Sequence, residues 1–216
     1  MTVSLILFHD VLCHDSFKAV RRLHEVTKAY GSKVKVRYKV FSSAPTVDDV
    51  KKLWNVFDTG KLEFMGLRVA SDRELDDETL NPDFTGAEVH AHHYLIPALC
   101  ALKAAEFQGG PDAYVRMYEK LYRAFRYDVW NITHPETIVS YAAEIGLDAE
   151  RFQTDFESNK SLEAVIEDRL TAQISGVSSV PMLVAKERWL IYKLVPTGDL
   201  RRVIDDLLAG RNPLTG

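Results

Sequence analysis

Val3-Ser4-Leu5-Ile6-Leu7-Phe8-His9-Asp10-Val11-Leu12-Cys13-His14-Asp15-Ser16 is the stretch from which the rest of the chain can be ordered. Residues 3–8 form a short apolar run rich in β-branched and aromatic side chains, the composition of a buried strand. From Ser16 to Tyr30 the apolar positions are Phe17, Val20, Leu23, Val26 and Tyr30, with basic residues between them, which is helical spacing. The reading is strand, loop, helix, with Cys13 at the junction. Gly31 stands where a glycine following a helix belongs, and residues 34–41 alternate Val, Val, Tyr, Val against Lys, Arg, Lys. A helix of this length can serve as the crossover between parallel strands, so the first 41 residues predict a βαβ unit.

Beyond Ser42-Ser43-Ala44-Pro45 the pattern changes. Residues 47–57 predict a short helix, and the polar, acidic residues 59–83 predict irregular surface. From Ala87 to about Ser175 the chain reads as mostly helix, over 89–107, 112–125, 135–145, 149–158 and 161–174. The breaks fall at Gly109-Gly110-Pro111 and Gly146, while His134-Pro135-Glu136 supplies the proline suited to a first helical turn. Two short strands follow, 182–185 and 189–193, around the charged turn Lys186-Glu187-Arg188. Thr197-Gly198-Asp199 then introduces a last helix over 200–208. The order βαβ, helical block, ββα predicts an α/β fold. Residues 1–45 and 176–216 form its sheet domain, and 46–175 are an inserted helical domain.

Composition narrows the function classes. The chain has 216 residues, 46% of them hydrophobic and 27% charged, enough for one sizeable core. Lysine and arginine number 27 against 31 for aspartate and glutamate, a net charge of −4 that argues against a nucleic-acid partner. The longest apolar runs, 3–8 and 95–102, fall far short of the roughly 18 residues a membrane span requires. No leader pattern opens the chain, since Ser4 interrupts the first apolar run and His9 and Asp10 end it, and the expected location is cytoplasmic. With only Cys13 and Cys100, a disulfide scaffold is excluded and any thiol chemistry falls to one or two reduced cysteines.

Cys13 precedes the first helix, where unpaired N–H groups and the positive dipole end favour a thiolate, the attacking form of the residue. Protonated His14 would help; Asp10 and Asp15 oppose. Cys100 lies in the apolar helical run 95–102 and reads as a small buried hydrophobe. His9, Cys13, His14, Asp10 and Asp15 do not have the paired spacing of a zinc site, and no metal is expected. His90, His92 and His93 read as a helix surface, because 90 and 93 share a face that 92 does not. Tyr114, Met117, Tyr118, Leu121, Tyr122 and Phe125 recur at helical spacing, which says core or interface first and groove lining second. Trp54, Phe57, Tyr122 and Trp130 are the aromatic residues from which some are expected near the pocket. In Gly176-Val177-Ser178-Ser179-Val180-Pro181, a Val-Pro pair enters a strand. A cis bond there would leave the Val180 backbone open to an extended substrate, and a trans strand-entry proline is the other reading.

These segments resemble the DsbA family of thioredoxin-fold proteins, and more closely its FrnE-like and 2-hydroxychromene-2-carboxylate isomerase-like branches. The resemblance covers nearly the whole chain. It rests on residues 8–16, on Val40-Phe41-Ser42-Ser43-Ala44-Pro45, on Ala91-His92, on Gly146-Leu147-Asp148-Ala149-Glu150-Arg151-Phe152 and on Gly176–Pro181. It implies a thioredoxin-like sheet with a helical insertion, and it places Val180 and Pro181 opposite Cys13, with Asp10 and His92 also on the substrate side. The family's oxidoreductases carry Cys-x-x-Cys, whereas this chain reads Cys13-His14-Asp15-Ser16, so the resolving thiol is replaced by serine. The expected activity is thiol-disulfide exchange through Cys13 alone, tuned by His14 and Ser16. An external thiol such as glutathione resolves it as co-substrate, and no cofactor is held tightly. A glutathione-dependent isomerase or transferase is the rival enzyme, and a binding module without turnover is the other alternative. The expected partner is a small thiol or disulfide, and a homodimer is left open.

Overall fold

The structure is a computed structural model, which describes residues 2–41, 95–126, 132, 134–192 and 195–213. Strand β1 (Val3–His9) leads through a short loop into helix α1 (His14–Lys28). A 3₁₀ turn (Gly31–Lys33) then enters strand β2 (Val34–Val40). Helices α2 (Ile96–Arg126), α3 (Pro135–Glu144), α4 (Ala149–Glu157) and α5 (Asn159–Ile174) follow. Strands β3 (Met182–Ala185) and β4 (Trp189–Tyr192) and helix α6 (Thr197–Leu208) complete the described chain. The strands form one mixed sheet in the order β2-β1-β3-β4. β1 runs parallel to β2 and antiparallel to β3, and β3 runs antiparallel to β4. This is a thioredoxin-like sheet with helices α2–α5 inserted between its second and third strands.

Residues 5–8 of β1 are all apolar because both faces of the strand are covered. Leu5 and Leu7 join the main core with Phe17, Val20, Leu23 and Val26 of α1 and Leu200, Val203, Ile204 and Leu207 of α6. Ile6 and Phe8 face the other way, against Met182, Val184, Val177 and Ala172 at the end of α5. The period of two along β1 therefore divides its side chains between two layers of helix.

Several boundaries differ from the sequence reading, each for a local reason. Helix α1 begins at His14 rather than Ser16, because the Cys13 side chain accepts the Ser16 N–H and closes the first turn. Helix α6 begins at Thr197 rather than Leu200, with the Pro196 carbonyl accepting the Leu200 N–H at 2.9 Å. The helices expected over 89–107 and 112–125 form one run broken at Gly109 and Gly110, of which the second has φ +63°. A Cβ on Gly109 would lie 2.6 Å from that of Ala113, so the break needs glycine there. The expected helix over 47–57, and His90, His92, His93, Trp54, Phe57 and Trp130, lie outside the described residues, as does the expected domain boundary at 45.

One feature reverses the polarity read from β2. Lys39 falls on the polar side of the alternation in the sequence, yet it is buried where α5 crosses the strand. Its ammonium lies 2.7 Å from one oxygen of Asp168 on α5. The other oxygen takes the Lys103 ammonium at 2.6 Å and the Val40 N–H at 3.0 Å. Lys103 also reaches Glu106 and the Tyr38 carbonyl. Charges this deep are tolerated because each finds an opposite charge and further hydrogen bonds. The cluster joins the sheet to α2 and α5, and so sets the insertion relative to β1.

Candidate active site

The site is built at the end of β1, where the chain leaves the sheet and turns into α1. Asp10 makes the turn: its carboxylate accepts the Leu12 N–H at 2.8 Å, and its carbonyl accepts the Cys13 N–H at 3.3 Å. Cys13 is the N-cap of α1, and its Sγ accepts the Ser16 N–H at 3.4 Å. That is the position from which a side-chain acceptor normally satisfies one of a helix's free N–H groups, here filled by sulfur. Ser16 is fully buried, and its hydroxyl accepts the Asp10 N–H at 3.2 Å while also hydrogen-bonding the Cys13 side chain. The serine in the resolving position is thus tied to the thiol and to the loop that carries it.

The electrostatic balance differs from the sequence expectation. Burial pushes the Cys13 thiol above its ordinary pKa. The Ser16 hydroxyl and N–H pull the other way, and Asp10 and Asp15 add to the upward push. The helix N-terminus was expected to favour the thiolate; among the described residues desolvation outweighs it, because most of the side chain is out of water. Cys100 is buried with its thiol against Ser161, and burial raises its pKa as well. That environment matches a core-filling cysteine rather than a resolving one.

Pro181 is buried and Val180 half-buried, and the Val180–Pro181 bond is cis. The register pairs Phe8 with Met182, so Pro181 enters the sheet beside the end of β1, at the level where the Cys13 loop begins. Asp10 and Ser16 thus lie together around Cys13, the Val180–Pro181 segment lies at the same end of the sheet, and His92 falls outside the described residues.

Residues that sequence reading placed only as core or groove reach the loop from α2. The Tyr114 hydroxyl lies 2.7 Å from His9 Nε2, the Tyr118 hydroxyl donates to the Asp10 carbonyl at 3.0 Å, and the Tyr122 hydroxyl lies 2.6 Å from His14 Nδ1. Their spacing of four was visible in the sequence, but nothing local showed what their hydroxyls would meet. His9 is fully buried; desolvation, with Lys103 nearby, lowers its pKa to about 3, so it is neutral at physiological pH.

Comparison with known proteins agrees with this architecture. The ClpXP adapter protein SpxH of Halalkalibacterium halodurans is 26% identical over 195 residues. The match takes in 84% of this chain, which spans 58% of that relative's length. The cytosolic disulfide reductase DsbM of Pseudomonas aeruginosa superposes with a TM-score of 0.64 at 19% identity over 96% of both chains. A 2-hydroxychromene-2-carboxylate isomerase superposes with a TM-score of 0.62 at 15% identity, covering 95% of this chain and 91% of its own. Among the described residues no helix is long and apolar enough to cross a membrane. The thioredoxin family model matches residues 6–189, and with the sheet order and inserted helices described above the chain belongs to the thioredoxin family, with DsbA-like oxidoreductases among its structural neighbours.

Proposed function

We propose that the protein is a thiol-disulfide oxidoreductase that works through Cys13 alone and is resolved by an external thiol. The observation that carries this is the Cys13–Ser16 pair. A thiol caps the first helix with two donors from Ser16 on its sulfur, and serine occupies the place where a second thiol would act.

The Cys13 thiolate attacks one sulfur of a substrate disulfide, forming a Cys13 mixed disulfide and releasing the other half as a thiolate. An external thiolate, of which glutathione is the natural candidate, then attacks the mixed disulfide. Cys13 leaves as thiolate and the two-electron exchange is balanced. Ser16 stabilises the thiolate at both stages through its N–H and hydroxyl. Asp10 holds the turn, and Val180 with Pro181 forms the edge along which the substrate lies. DsbM, which has this fold, has been solved with glutathione, and that supports the choice of resolving thiol. The same neighbour, a cytosolic protein, supports a cytoplasmic location.

The direction of the Cys13 shift favours one second reading. A thiol kept neutral by burial can donate a hydrogen bond to the sulfur of bound glutathione, which would suit an isomerase or transferase in which no disulfide forms.

Intact mass after incubation with oxidised glutathione separates the two. The exchange reading expects one adduct, located on Cys13 and absent from Cys13→Ser. No adduct, or one confined to Cys100, overturns it; turnover of an electrophilic glutathione acceptor that survives Cys13→Ser then selects the isomerase.

A further inference from the structure

Tyr114, Tyr118 and Tyr122 are spaced four apart on α2, so their rings run along one face of one helix. All three rings are buried. A residue that only filled space there would serve as well as phenylalanine, and a buried hydroxyl is costly unless it has a partner. Each of these hydroxyls has one on the same short segment: His9, Asp10 and His14. The Asp10 carbonyl that accepts the Tyr118 hydroxyl also accepts the Cys13 N–H, and His14 follows Cys13 directly. Tyr122 is held in turn by Phe17 of α1, whose ring stacks on it at 4.0 Å with an interplanar angle of 11°. The loop that carries the thiol is therefore held on both sides of Cys13 from α2.

We infer that Tyr122 is a positioning residue for the thiol chemistry, holding the start of α1 next to Cys13 through the contact between its hydroxyl and His14 Nδ1. This rests on Cys13 being the reacting group. The titratable groups around the pair include Asp10 and Asp15 from the loop and first turn, and Tyr118 and Tyr122 from α2. The Gly176–Pro181 segment brings none. Farther along α1 and α2, Arg21 and Glu119 pair with one another at 3.3 Å. With Tyr122 in place, Nδ1 is engaged by a phenol. Without the hydroxyl the His14 ring loses that partner on α2, the first turn of α1 loosens and water reaches the Cys13 side chain; desolvation is the largest cause holding this thiol up, so hydration favours the thiolate.

The test is the pH profile of Cys13 alkylation by iodoacetamide, with the labelled residue located by peptide mapping, in the wild type, Tyr122→Phe and Tyr114→Phe. Tyr114 contacts His9 rather than the residues flanking the thiol, and serves as the packing control. Tyr122→Phe is expected to move the midpoint of the profile down by about half a pH unit, which is about a threefold faster reaction at neutral pH. Tyr114→Phe is expected to lower thermal stability to a similar degree without moving the midpoint. An unchanged or raised midpoint in Tyr122→Phe overturns the inference and leaves the residue as packing. Because alkylation needs no disulfide substrate, a shifted midpoint in a protein that exchanges no disulfides would reject the proposed activity while keeping the positioning role.

Discussion

The carboxylate of Asp168 lies 2.6 Å from the ammonium of Lys103, with both side chains about 95% or more out of solvent. With Lys39 on its other oxygen, Asp168 is a partner that the two buried lysines share. Asp168→Asn keeps the shape and removes the charge, leaving two ammonium groups facing a neutral amide. Removing one partner from a buried ion pair costs about 3–5 kcal/mol. Chemical denaturation of the variant is expected to show a loss of that size, and a loss under about 1 kcal/mol would mean that the cluster is far more hydrated than the fold implies.

Because burial holds the Cys13 pKa above its ordinary value, the thiolate fraction at neutral pH is small. The rate of reaction at Cys13 is therefore expected to climb about tenfold per pH unit through the neutral range and to level off only above about pH 9. Ser16→Ala removes the hydroxyl that pulls the pKa down, so its profile should move further up and its rate at pH 7.5 fall. A profile that levels off near pH 7 would show that the helix N-terminus, rather than desolvation, governs this thiol.

Ser16→Cys supplies a thiol in the resolving position. In the wild type, oxidised glutathione should leave a persistent adduct on Cys13. In the variant the new thiolate attacks the Cys13 sulfur, glutathione departs, and the product is the protein less two hydrogens. Mass spectrometry distinguishes the two, and a stable adduct on the variant would mean that residue 16 is held too rigidly to reach the sulfur in line.

His9 makes acid stability measurable. Its pKa in the folded chain is about 3, below the ordinary value of 6.5, so the unfolded chain binds the proton first as pH falls. The neutral, folded form carries no penalty above pH 6.5. Stability is then lost at about 1.4 kcal/mol per unit as pH drops from 6.5 towards 3. Urea midpoints at pH 7 and pH 5 should fall more for the wild type than for His9→Gln, which cannot titrate; equal falls would place His9 in contact with water.

The sequence by itself determined the βαβ opening, the helical block and the ββα close. Those follow from apolar periods of two and nearly four, and from glycines and prolines, all of which act within a few residues. It also determined that Cys13 stands at the start of a helix with serine, not cysteine, three residues on. Tertiary structure decided what those residues meet. Tyr122 is 108 positions from His14, and Asp168 is 129 from Lys39; no local pattern marks such pairs. It also decided the state of the thiol. A helix N-terminus is legible in sequence and favours the thiolate, but the desolvation that outweighs it depends on how completely the packed chain removes water from the Cys13 side chain.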